Sequence, residues 1–350
     1  MKYSIALLPG DGVGPEVVAE TVKVIDAAAE AAGDLEFAFT TLSVGAGEYL
    51  KSGDPLPPAT LEECKQFDAI LLGAMGLPHV RWPDGTEMTP QIDLREILDL
   101  YLGLRPIRLY AEQDTPLKGY KAGDIDFLII RENTEGLFFG RKESYQPDAS
   151  EVRDTMRISR HSSERLFRAA FRYARQRRGK VTLVDKANVL PSMAFFRRVF
   201  EEVAAEFPGT EREAVYVDAM SLYLVQDPRR FDVVVTENMY GDILSDLAAG
   251  LVGGMGMAPS GDVGDKYAVF QPSHGTAPTI AGKGIANPIA TILSGAMMLQ
   301  WLGGEAAVRA AAMIHRAVER LLTSTSSRTV DLGGQMGTVE CGDRVIALLA

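Results

Sequence analysis

Short apolar runs alternate with amphipathic stretches along the whole chain. Ile5–Leu8 is followed by Pro15–Ala32 with helical spacing. Ala69–Leu72, Phe127–Ile130, Val181–Val184 and Phe231–Thr236 repeat the first pattern, and Ser192–Phe207, Pro288–Leu302 and Ala306–Leu322 repeat the second. Continuous apolar runs of this length suit strands covered on both faces, and the longer periodic segments suit the helices that cover them. The pattern therefore predicts an α/β fold built on a mixed or parallel sheet. A chain of 350 residues suggests two domains. No repeat or low-complexity linker separates them, so they are expected to be interwoven, with crossings near Tyr101–Leu104 and Gly253-Gly254-Met255-Gly256.

Composition narrows the function more than the fold. The chain is 46% apolar and 24% charged, with a formal net charge of −11 and no basic tract, which argues against a nucleic-acid partner. An acidic substrate remains compatible, because a few local arginines can override the global sign. Cys64 and Cys341 form no pattern and fit a reducing, cytoplasmic setting. The first apolar run is too short for a signal peptide. Ile289–Leu302 is too short and too interrupted to span a membrane.

The most informative chemistry lies in Asn238-Met239-Tyr240-Gly241-Asp242-Ile243-Leu244-Ser245-Asp246. The strand before it is expected to end near Glu237 and a helix to open at about Asp242. Asp242 and Asp246 then share one helix face near its positive end. A hard divalent cation would relieve their repulsion, and oxygen ligands suit Mg²⁺ or Mn²⁺. The plain alternative is that Asp242 caps the helix and Asp246 faces water. Arg95, Arg105, Arg108 and Arg131 are candidates for holding carboxylates, and Arg131 emerges at a strand end, where open α/β sheets place ligands. Against each stands an ordinary surface ion pair. Lys186 follows Val181–Val184 and could act as a base if its charge were disfavoured, or be a solvated lysine. Asp218 could be a third metal ligand or a turn residue. The Gly10-Asp11-Gly12-Val13-Gly14-Pro15-Glu16 turn lacks the G-x-G-x-x-G spacing of a Rossmann loop. Small residues surround His274, which would let backbone approach a flat ligand closely.

Together these segments resemble the metal-dependent β-decarboxylating dehydrogenases, the family of 3-isopropylmalate, isocitrate, homoisocitrate and tartrate/D-malate dehydrogenases. The resemblance spans nearly the whole chain through GDGVGPE, LRP, RENTEG, DKANVLP, VDAM, GDILSDLAAGLVGG, HGTAP and GKGIANP. It implies an isocitrate/isopropylmalate dehydrogenase-like fold, two interwoven α/β domains around a mixed sheet, not Rossmann. Residues 1–100 and 255–350 would form a cofactor domain. Residues 101–254 would form a substrate and dimerisation domain with an intersubunit clasp at about 131–156. The resemblance implies a homodimer, NAD as cofactor, and Mg²⁺ or Mn²⁺ held by Asp218, Asp242 and Asp246. Arg95, Arg105 and Arg131 would bind substrate carboxylates, with Thr89 and Gln91 in the specificity segment. Lys186 would be the base, and Asp218 would come with it from the partner subunit. Asn188, His274, Gly275, Ala277, Thr279 and Asn287 would meet the cofactor.

The chain departs from the family in three places. Phe138 stands where the family has a proton-donating Tyr, so Tyr145 or water would have to protonate C3. Gln91 stands in a segment where isopropylmalate enzymes place leucines, which points to a small or polar C3 substituent. Thr279-Ile280 carries no cation for a 2′-phosphate, which favours NAD over NADP. The resemblance points first to 3-isopropylmalate, with isocitrate, tartrate or D-malate behind it. A catalytically impaired binding or assembly subunit is the rival class, supported by Phe138 alone.

Overall fold

The computed structural model describes residues 1–143, 148–323 and 327–349. Ten strands form one sheet: β1 (Lys2–Gly10), β2 (Glu36–Thr41), β3 (Ala69–Ala74), β4 (Leu102–Arg108), β5 (Asp126–Glu132), β6 (Lys180–Asp185), β7 (Glu211–Tyr216), β8 (Val233–Thr236), β9 (Pro259–Val263) and β10 (Ala268–Pro272). Their order is β2-β1-β3-β10-β9-β4-β5-β8-β6-β7. Both ends of the sheet are parallel, whereas β10–β9, β9–β4 and β4–β5 are antiparallel. The mixed α/β class expected from the apolar runs is what the chain adopts. Every strand from β2 to β9 in that order comes from the two ends of the chain, and every strand from β4 to β7 from its middle.

Alternation along the central strands gives the sheet two chemically different faces. Gly103 of β4 lies opposite both Arg131 of β5 and Asp262 of β9. Arg105, two residues on, shares their face, while Leu104, Leu128, Val263 and Phe270 belong to the buried core. The helix Ile289–Leu302 is buried along nearly its whole length. Its uniform apolarity is therefore that of an internal helix, packed between β9, β10 and the helices Gly14–Ala32 and Glu305–Thr323. In the other half, Phe167 and Phe171 of Arg160–Arg175 pack against Phe196 and Phe200 of Pro191–Ala204 with centroids 4.6–5.4 Å apart. Among the described residues no helix is long and apolar enough to cross a membrane.

Candidate active site

Three arginines reach one cavity from three elements. Arg95 comes from the helix Pro90–Ile97, Arg105 from β4 and Arg131 from the end of β5, and all three are buried. A buried guanidinium must be paired. Asp262 pairs two of them: Arg95 Nε donates to its Oδ2 at 2.8 Å and Arg105 Nη2 to its Oδ1 at 3.0 Å. Asn133 and Gln271 donate to the same carboxylate at 2.9 and 2.6 Å. Burial would raise the Asp262 carboxyl, but Arg95 and Arg105 outweigh it and hold it well below the usual carboxylate range. Gly103 makes the cluster sterically feasible, since a Cβ there would come within 2.6 Å of Asn133 Oδ1.

Arg131 is held by the helix Asn238–Gly250. Its Nε and Nη2 donate to Asn238 Oδ1 at 2.9 and 2.7 Å, and its Nη1 donates to Asp242. Gly241 permits the crossing, because a Cβ at that position would lie 2.7 Å from Arg131 Cβ and Cγ. Burial, followed by repulsion from Arg95, pulls the Arg131 guanidinium down to about 10. The helix starts four residues earlier than expected from the sequence. Glu237 is its N-cap, accepting from Met239 N at 3.1 Å and Tyr240 N at 2.7 Å. Asp242 and Asp246 consequently sit in the second and third turns, so Asp242 is not the cap and the helix dipole acts on the pair only weakly. Burial and the neighbouring Asp242 raise the Asp246 carboxyl, the direction expected of a half-buried acid beside a second one.

Arg95, Arg105, Arg131, Asp242 and Asp246 line a cavity of about 230 Å³. Gln91, Phe138, Gln271, His274 and Gly275 also belong to its wall, and Thr89 does not reach the lining. Gln91 Oε1 is buried there without a hydrogen-bond partner. The Arg131 guanidinium lies 5.3 Å from the Phe138 ring centroid. Phe138 belongs to the turn Leu137–Lys142, which Arg141 ties to Asp93 and Glu96 of the arginine-bearing helix at 2.7 and 2.8 Å. Tyr145 lies outside the described residues. Arg108 is elsewhere, pairing with Glu319 at 2.9 Å on the surface.

Lys186 and Asp218 are not among the residues lining this cavity. Lys186, just past β6, donates to Asp218 in the first turn of Val217–Gln226 at 2.6 Å, and Asn188 beside it is exposed. The Lys186 ammonium and its charge hold the Asp218 carboxyl below its ordinary range. Among the described residues no group of three or more His, Cys, Asp or Glu gathers closely enough to hold a metal. Within one chain the three aspartates are therefore not brought together: Asp242 and Asp246 offer oxygen ligands beside the arginines, and Asp218 stands apart.

The remaining cofactor candidates form a glycine-rich rim. His274 Nδ1 is 2.8 Å from Gly275 O, and burial lowers the imidazole pKa, favouring the neutral ring. Val13 N donates to Thr276 O at 2.9 Å, so the GDGVG turn and the HGTAP segment form one surface. Ala277 has a positive φ of 40°, Thr279 is exposed, and Asn287 is buried, donating to Asp331 at 3.1 Å and accepting from Ile289 N at 3.0 Å. The Asp11 carboxylate is taken up by backbone, accepting from the amides of Ala46, Gly47 and Gly76, each at 2.8 Å.

Sheet order, arginine triad and carboxylate pair define a class, and comparison with known proteins gives the same class. The chain belongs to the isocitrate/isopropylmalate dehydrogenase family, whose model matches residues 4–345. It is thus a dehydrogenase, an enzyme acting on a small molecule. It is 46% identical to the 3-isopropylmalate dehydrogenase of Moorella thermoacetica, with 98% of each chain covered. It is 42% identical to the 3-isopropylmalate/3-methylmalate dehydrogenase of Methanocaldococcus jannaschii, again with 98% of each covered. The crystal structure of isocitrate dehydrogenase from Methylococcus capsulatus superposes with a TM-score of 0.89 at 38% identity, covering 99% of both chains.

Sequence reasoning missed Asp262, Asn238 and Glu237. Asp262 sits in Pro259-Ser260-Gly261-Asp262-Val263, too short and too rich in small residues to read as a strand. Nothing local marks its carboxylate as the partner of arginines 157 and 167 residues away.

Proposed function

We propose that this chain carries out NAD-dependent, divalent-metal-dependent oxidative decarboxylation of a 3-substituted malate, with 3-isopropylmalate as the substrate. The convergence of Arg95, Arg105 and Arg131 on the cavity that also holds Asp242 and Asp246 carries the reading. Guanidinium groups bind carboxylates through paired hydrogen bonds, and two adjacent carboxylates are a fitting half-site for a hard cation. The bound metal would lower the pKa of the substrate hydroxyl and stabilise charge as CO₂ leaves, while the nicotinamide accepts hydride. The chain's own residues have separate tasks. Arg95 and Arg105 orient the carboxylates, and Arg131 holds Asp242 in place. Lys186 is the base for the hydroxyl proton, acting as the neutral amine once its bond to Asp218 opens and its own proton has passed to solvent. Phe138 cannot protonate C3, so Tyr145 or water supplies that proton.

The two halves of the sheet support reading residues 1–100 and 255–350 as the cofactor domain and 101–254 as the substrate domain. The active site is completed in a homodimer, with Lys186, Asn188 and Asp218 supplied by the partner and the clasp at about 131–156 joining the subunits. Exposed Leu222 and Val225 on Val217–Gln226, and Ile243 on Asn238–Gly250, give those helices the apolar surface such an interface needs. The absence of a cation at Thr279-Ile280 supports NAD, and Asn287 and the His274–Ala277 segment would receive its adenosine. The unpartnered Gln91 Oε1 favours a second reading, a substrate whose C3 substituent donates a hydrogen bond, as in tartrate. Steady-state turnover of isopropylmalate, isocitrate, tartrate and D-malate with NAD or NADP, with Mn²⁺ present or chelated, tests the proposal. Metal-independent turnover, or none with any of the four, would refute it.

A further inference from the structure

Asp262 occupies an unusual position. It lies behind the cavity wall, 1% exposed, and its two oxygens take bonds from Arg95, Arg105, Asn133 and Gln271. It uses only part of each arginine. Arg95 engages it through Nε, and no described residue accepts from the Arg95 Nη groups. Arg105 engages it through Nη2 and gives Nη1 to Leu104 O at 3.0 Å. The arginines therefore keep donors for a ligand, while one of their positive charges is already cancelled.

The charges around the cavity bear on the substrate class. Three guanidinium groups face three carboxylates, those of Asp242, Asp246 and Asp262. A bound divalent cation then leaves two positive charges, which a two-carboxylate substrate neutralises. Lys186 and Asp218, wherever they are supplied from, are a neutral pair and leave the count unchanged. A third substrate carboxylate would be uncompensated and close to a buried anion that cannot move away. We propose that Asp262 is a positioning residue that also sets charge selectivity: by pre-pairing Arg95 and Arg105, it fits the site to malates with an uncharged C3 substituent and against tricarboxylates. This rests on the malate reading above and narrows it.

Binding, measured by calorimetry with Mg²⁺ present and no cofactor, tests it without relying on turnover. The probes are 3-isopropylmalate, with two carboxylates, and isocitrate, with three. Wild type should prefer the first. Asp262→Asn should shift the affinity ratio toward isocitrate by about tenfold or more, the effect of one charge at several ångströms in a partly screened site. Asp262→Asn with Gln271→Glu moves the carboxylate to a side chain 2.6 Å away and should restore the wild-type ratio. A merely structural role would weaken both ligands alike and gain nothing from the relocated charge. If Asp262→Asn does not fold, Gln271→Glu alone carries the test, since a second carboxylate must move the ratio further from isocitrate. An unchanged ratio in folded Asp262→Asn, or in Gln271→Glu where that variant carries the test, overturns the inference and leaves the malate reading standing. Failure of wild type to bind either probe sinks both.

Discussion

The arginine cavity and the Lys186–Asp218 pair are built from similar residues and held in opposite ways. In the cavity Asp262 and Arg131 are held several times over: Asp262 has four donors, Arg131 is gripped by Asn238 and Asp242, and glycines at 103 and 241 clear the space. Lys186 and Asp218 have one bond to each other, and Asp218 is 67% exposed at its side chain. On the proposed function, the difference separates a pre-formed anion receptor from groups left free for a task. A substrate cradle benefits from rigidity, because the ordering cost falls on folding and not on binding. A base must be able to change partner and protonation state, which a fully satisfied network forbids.

Removing one cavity arginine should have the largest effect. Arg131→Met should cost about 10³-fold in kcat/KM and lower the melting temperature, because Asp242 and Asn238 lose their partner in a largely buried network. Steady-state kinetics with a thermal melt checks both, and an active or equally stable variant would mean that Arg131 is not structural to the site. Lys186→Ala should cost about 10²–10⁴-fold in kcat, the usual scale for a general base, and leave the melting temperature unchanged. Loss of stability alongside activity would place Lys186 with the cradle.

Whether the two regions belong to different subunits can be read by complementation. Lys186→Ala and Asp242→Asn should each be inactive. Refolded together, they should recover about a quarter of wild-type activity, since half of random dimers are mixed and each mixed dimer rebuilds one of two sites. No recovery in verified mixed dimers would put both regions in one subunit's site. A smaller effect is expected at Phe138. Phe138→Tyr should raise CO₂-linked turnover by a few fold to about tenfold by adding a donor near C3. No gain with CO₂ still released stoichiometrically locates the donor elsewhere. Smallest is a stability effect at Glu132. Burial lifts its carboxyl to about 7 from an ordinary 4.5. Between those values the folded chain keeps a proton that the unfolded chain has lost, so stability falls as pH rises through that window and is level above it. Glu132→Gln should flatten that slope in urea melts at pH 4.5 to 7.5.

How much was legible in the chain varied with sequence distance. The helices Gly14–Ala32, Pro191–Ala204, Ile289–Leu302 and Glu305–Thr323 followed from periodicity, and β1, β3, β5, β6 and β8 from apolar runs. β9 was invisible because Pro259, Ser260 and Gly261 carry no apolar signature, and β9 is the strand that joins the halves. Helix Asn238–Gly250 was placed late because Glu237 looked like a strand end when it is a cap, an assignment that requires its carboxylate to be seen on two amides.

The α/β class, the family, the arginines, the aspartate pair and Lys186 were legible along the chain, because these are carried by local periodicity and by motifs a few residues long. Which charges share a cavity was settled by folding. It put Asp262 behind Arg95 and Arg105, moved Asp242 and Asp246 off the helix start, and left Lys186 and Asp218 outside the cavity wall. The reason is range: hydrophobic periodicity is written along the chain, whereas charge pairing depends on which strands become neighbours, and β4, β5 and β9 meet only when the sheet has formed.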